Sequence, residues 1–153
     1  MQTRATGLSK QESSRDFSKK LLKLTVSGGA AFWVIDFIMA VSPIATAYQA
    51  AFSFSSLPVA LLEALAGGMV IAFSVSFILL QSFEKIPGKK PIVKALILSF
   101  IAMAIIEVLS TLGNPNHASV YLLLDSGMNA PRFLALGLMI GYLFDKQNRK
   151  VEL

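Results

Sequence analysis

An all-α integral membrane protein, a four-helix transmembrane bundle with a short interfacial helix at its outer surface, is the fold class this sequence predicts. Three observations lead to it: an apolar composition, four long runs nearly free of charge, and Lys and Arg gathered in blocks at alternate ends of those runs. Of the 153 residues, 54% are apolar and 15% charged, with a mean hydropathy of +0.63. Soluble domains carry about 25% charged residues and, with Gly counted, about 45–50% apolar ones. The 10 glycines bring this chain to roughly 60% on that basis. The aliphatic content excludes a disordered chain, and the lack of a Gly period excludes collagen. The absence of Cys excludes a disulfide scaffold, thiolate nucleophiles and Cys-based metal sites.

Residues 1–22, rich in Ser, Thr and charge and without an apolar period, are expected to be a mobile basic cytoplasmic segment. A transmembrane domain follows at 23–146, and 147–153 form a cytoplasmic tail. Its first span is read at 24–48, interrupted only by Asp36 and kinked at Pro43. The second, 57–82, contains Glu63, and the third, 91–112, contains Lys94 and Glu107. The fourth, 130–144, has Arg132 near its start. Crossing about 30 Å of hydrocarbon takes about 20 helical residues, so the first three runs are long enough and the fourth is short. Ile86-Pro87-Gly88-Lys89-Lys90-Pro91 reads as a tight turn, with Pro91 suited to the first turn of the third helix. Residues 118–125 are too few to span; they are expected to form a short outer-surface helix ended by Gly127, with Tyr121 at the interface.

Orientation follows from the basic residues. Arg4, Lys10, Arg15, Lys19, Lys20 and Lys23 precede the first span; Lys85, Lys89, Lys90 and Lys94 flank the second turn; Lys146, Arg149 and Lys150 follow the fourth. The connections 49–56 and 113–129 contain neither Lys nor Arg. Because Lys and Arg collect in short cytoplasmic loops, this alternation predicts an even number of spans, both termini in the cytoplasm, and residence in the cell (cytoplasmic or inner) membrane. It also accounts for the net charge of +5 without nucleic acid. The first span has the outline of a cleaved signal peptide, with Ala45-Thr46-Ala47 as the cleavage site, but it exceeds the usual 7–15 apolar residues and holds Asp36 at its middle.

Two packing signals stand out. Ala60, Ala64, Gly68, Ala72 and Ser76 place a small residue at every fourth position of the second span, and Gly137 and Gly141 form a GxxxG pair in the fourth. In lipid such stripes let helix backbones approach closely and gain dispersion contact, which marks the second helix as central to the bundle or to a dimer.

The ionisable residues define a candidate site. At 1.5 Å of rise per residue, Asp36 falls close to the midplane, and Glu63, Glu107 and Arg132 fall about 8–10 Å beneath the outer boundary. Each costs about 2.5–3.5 kcal/mol at a helix centre, so lipid-facing positions are unfavourable and a polar interior is expected. Asp36 is expected to share its face with Gly29, Phe32 and Ala40. One reading pairs Arg132 with Glu63 or Glu107 in a buried ion pair that fixes helix register. The other takes the excess of carboxylates as a site for a proton or cation.

No HExxH, GxSxG or phosphate-cradling Gly loop is present, so no enzyme, cofactor or metal site is expected. His117 reads as a solvated loop residue, Trp33 as packing, and Tyr48 and Tyr142 as interfacial anchors. Two functional classes stay open. The first is an accessory or structural subunit, or scaffold, of a larger membrane complex. The second is a homo-oligomeric ion or proton pathway, channel or transporter, using Asp36, Glu63 and Glu107. The lipid bilayer and either further copies or a larger complex are the expected partners.

Overall fold

The computed structural model describes residues 3–43, 57–113 and 118–149, and among these it is helical, with no strand. The helices are α1 (Thr3–Ala40), α2 (Leu57–Ser82), α3 (Pro91–Gly113) and α4 (Ala118–Arg149), with one 3-10 turn at Phe83–Lys85 after α2. Three apolar stretches, Ser14–Ala40, Pro58–Lys85 and Pro91–Leu112, are long and apolar enough to cross a membrane. At 1.5 Å per residue each is longer than the roughly 30 Å of a hydrocarbon core.

Three boundaries differ from the sequence expectation, each for a local reason. The first helix extends back to Thr3 instead of starting near residue 24. Residues 3–23 contain no Pro and include four Lys, three Leu and two Arg, so a helix already nucleated in the apolar stretch propagates backwards at little cost. The same helix stops at Ala40, where a kinked continuation to residue 48 was expected. Pro43 has no N–H to donate to the carbonyl four residues back, and it pushes Ser42 out of the α region. The last turn tightens accordingly: the Val41 N–H donates to Phe37 O at 3.1 Å, while the Ser42 N–H and hydroxyl both donate to Met39 O, at 3.2 and 2.7 Å.

The expected short surface helix and fourth span are one helix. α4 runs without interruption from Ala118 through Gly127 and Pro131 to Arg149. Pro131 supplies no N–H to the Gly127 carbonyl four residues earlier, so α4 continues through both residues with that one helical bond missing, at a place where both are exposed. Asp125, Asn129 and Arg132 load the first half of α4 with polar groups, and α4 is not among the three stretches that meet the length and composition of a span.

Three antiparallel pairings build the bundle. Gly28 meets Ala72 and Phe32 meets Gly68 between α1 and α2; Gly28 also meets Ile140, and Phe32 packs edge-on to Phe133 at 5.5 Å, between α1 and α4. Gly141 lies against Ile92 and Gly137 against Leu96 and Ser99, between α4 and α3. α2 and α3 touch each other sparsely. The centre is thus α1 and α4, with α2 and α3 on the flanks, which corrects the expectation that α2 would be central. Leu24, Phe32, Ala72, Val75, Leu79, Phe133, Leu136 and Ile140 form the core.

The small-residue stripe is absorbed by this packing. Gly68, Ala72 and Ser76 are buried and Ala60 and Ala64 half-buried, all on the side of α2 that α1 covers. Gly141 has the tightest need for glycine: an added Cβ would come within 2.5 Å of the Ile92 Cα, a backbone atom that cannot yield. At the α2–α3 turn, Gly88 has φ +120°, a conformation that residues with a side chain rarely adopt.

Candidate functional site

The end of the bundle remote from the basic blocks carries a connected set of polar side chains from three helices. Asp36 projects from α1 on the buried face it shares with Gly29 and Phe32, and its carboxylate forms an ion pair with the Arg132 guanidinium of α4. Arg132 reaches a second partner one turn back, donating from Nη1 to Asn129 Oδ1 at 2.9 Å. Asn129 in turn donates from Nδ2 to Glu107 Oε1 of α3 at 2.7 Å. Asp125, a turn earlier on α4, lies beside the same Glu107. The Glu107 backbone carbonyl also accepts from the Thr111 hydroxyl at 2.7 Å, which keeps that hydroxyl within its own helix.

Burial is close to complete along this chain. Asp36, Glu107 and Asn129 are 7%, 4% and 8% exposed, respectively. Each charged or amide group therefore depends on its protein partners, since an unpaired polar group in such surroundings costs several kcal/mol. Of the four buried side-chain atoms without a hydrogen-bond partner among the described residues, two belong to this set, Glu107 Oε2 and Arg132 Nε; the others are the Thr25 and Ser76 hydroxyls.

The placement of the predicted residues differs in two respects from the sequence reading. The partner of Arg132 is Asp36, and Glu107 is joined to it only through Asn129. Asp36 and Arg132 meet because α1 and α4 pack antiparallel, with Gly28 against Ile140 and Phe32 against Phe133, a register that brings the two level. Glu63 takes no part. It is exposed, as is Gly67 one turn on, because the small residues Ala60, Ala64 and Gly68 hold the face of α2 that meets α1. Among the described residues, no group of three or more His, Cys, Asp or Glu is arranged to hold a metal ion.

Three contributors were missed in the sequence. Asn129 was read as the end of a connection, although its position three residues before Arg132 on one helix face was the available signal. Asp125 was assigned to a surface helix and instead neighbours Glu107. Lys94, counted only as a basic residue, is buried, donates from Nζ to the Phe83 carbonyl at 2.7 Å and lies 3.9 Å from the centre of the Phe83 ring. It is a second donor to this carbonyl of the 3-10 turn, which also accepts from the Ile86 N–H at 3.4 Å, and so ties α3 to the turn. Trp33, expected to serve packing, also donates its indole N–H to the Leu61 carbonyl of α2 at 3.1 Å. His117 and Tyr48 lie outside the described residues.

Compared with protein families, characterised proteins and solved structures, the chain shows no match.

Proposed function

We propose that this chain is a multi-pass membrane protein of four spans, both termini cytoplasmic, that acts as an accessory or structural subunit of a larger assembly in the cell membrane, and is not an enzyme. The observation that carries this reading is the Asp36–Arg132 pair, extended through Asn129 to Glu107. It ties α1 to α4 with matched charge and α4 to α3 through a neutral amide, and matched buried charge fixes register between helices more readily than it conducts ions. The small-residue stripe supports the same reading, since it is taken up within one chain and is not free to line an oligomeric pore. What faces outward on α2 and α3 is large and apolar: Leu62, Val70, Ile105, Leu109 and Leu112 are more than half exposed. Such faces suit lipid or the helices of a partner.

The test is native mass spectrometry of the protein extracted from its own membrane in mild detergent. A reproducible heteromeric partner is expected. A homo-oligomer with no other subunit would refute the accessory role.

A second reading, a proton or ion pathway, is favoured by one observation: Glu107 Oε2 is buried without a partner among the described residues, next to the Asp125 carboxyl. A proton or small cation is the species two adjacent carboxyl groups bind. Flux in proteoliposomes that is lost in Asp36→Asn and Glu107→Gln, with folding intact, would establish it.

A further inference from the structure

We propose that the groove between α1 and α4 holds one anionic phospholipid, with an acyl chain along the groove and the phosphate between Lys23 and Lys146. The groove has a volume of about 740 Å³ and an apolar lining that includes Ser27, Ala31 and Val34 from α1 and Ala135, Leu138 and Tyr142 from α4. Small residues on both walls make the concavity, and long side chains such as Val34 and Leu138 form its rims. It is a face that no other helix of the described residues covers: Val34, Leu138 and Tyr142 are all more than 40% exposed.

Length and charge select the occupant. From Ser27 to Ile35 the groove follows α1 for about 12 Å, close to the roughly 15 Å depth of one leaflet's hydrocarbon. It begins just below the Asp36–Arg132 pair and ends towards the basic end of the bundle. There, each wall carries an exposed lysine one turn past its last small or aromatic lining residue. Lys23 precedes Ser27 by four residues on the same face of α1, and Lys146 follows Tyr142 by four on the same face of α4. The Lys146 ammonium lies 6.0 Å from the centre of the Tyr142 ring, which directs it along the groove wall. Four residues are about 6 Å of helix, the distance from the end of the hydrocarbon to the headgroup level. An apolar slot of one leaflet's length, with two cations at headgroup height, matches a lipid with a net negative headgroup better than a zwitterionic one. A helix of a second copy would meet the same two lysines with lysines of its own.

This inference requires residence in a bilayer and is independent of the accessory role. Native mass spectrometry of the full chain in mild detergent, titrated with phosphatidylglycerol and separately with phosphatidylcholine, tests it. One phosphatidylglycerol per chain is expected, bound at least tenfold more tightly than phosphatidylcholine. Lys23→Gln with Lys146→Gln is expected to weaken phosphatidylglycerol roughly thirty-fold, the equivalent of about 1 kcal/mol per lysine. Ala30→Phe, which fills the exposed groove from α1 and keeps both lysines, is expected to displace either lipid. All three positions are on the surface, so the variants keep the core intact. Equal binding of the two lipids, unmoved by either variant, would overturn the proposal, as would a dimer of the chain that Ala30→Phe dissociates.

Discussion

Arg132 is the residue on which the polar chain turns, because it alone bonds both to α1 and back to its own helix. Removing it leaves Asp36 buried and unpaired, and breaking one side of a buried pair costs about 3–5 kcal/mol. Replacing both sides with apolar residues of similar size is often neutral. The expected outcome is therefore a large loss of stability in Arg132→Ala, and near-recovery in Arg132→Met with Asp36→Leu, read by unfolding midpoints in detergent. Asn129 has a smaller part. Its amide bridges Arg132 and Glu107, and interhelical hydrogen bonds in membranes contribute about 0.6 kcal/mol on average, with about 1.7 as a maximum. Asn129→Leu should then cost about 1–2 kcal/mol, whereas Glu107→Gln, which retains an acceptor for the Asn129 amide, should cost less, on the same unfolding assay. The charged members of this site were legible in the sequence because ionisable groups in apolar runs stand out and must face inward. Their pairing was not, because depth counted from a helix start carries the error of that start, and α1 begins at Thr3, well before residue 24. Asn129 carries no charge and interrupts no apolar run, so it gave no comparable signal.

At the scale of whole elements, α3 and α4 are joined by glycine contacts whose tolerance differs sharply from that of Gly67 on the exposed side of α2. Gly141 has the Ile92 backbone where its side chain would stand, while Gly67 has nothing within 4 Å. Gly141→Leu must push the two helices apart, and such overpacking costs about 1–3 kcal/mol. Gly67→Ala meets open space and gains helix propensity worth up to about 1 kcal/mol. Opposite shifts in the unfolding midpoint are therefore expected from two glycine substitutions, and equal shifts would contradict the α3–α4 contact. Periodicity made the stripe on α2 readable, since a small residue every fourth position marks one helix face. It did not reveal which helix that face meets, and α1 occupies it. Likewise Gly127 reads as a stop, yet α4 passes through both it and Pro131.

For the molecule as a whole, the decisive quantity is the number of crossings, and the antiparallel pairings bear directly on it. α1 and α3 run in the same direction, and α4 packs against both in the opposite one, with Phe133, Leu136, Ile140 and Phe144 buried along its length. A helix held over three turns along two stretches that are each long and apolar enough to cross a membrane is, in the topology we propose, a fourth crossing. Its apolar stretch from 130 to 144 covers only about 22 Å, roughly 8 Å less than the hydrocarbon core. The ion pair of Arg132 with Asp36 at one end, and the exposed Lys146 and Arg149 at the other, extend the length that is tolerated, since paired or snorkelling charges reach the interface without facing hydrocarbon. The same pairings bring the start of α1, the turn between α2 and α3 and the end of α4 to one end of the bundle. There they carry every Lys and Arg of the described residues except Arg132. In the topology we propose, that end faces inward, because short basic segments stay on the cytoplasmic side. A reporter fused after Leu153 should therefore read on the same side as one fused before Met1, and a reporter inserted between Pro115 and Asn116 should read on the other. If α4 does not cross, the reporter after Leu153 moves to the side of the insertion, opposite the N-terminus, and the basic end of the bundle is divided between two faces of the membrane.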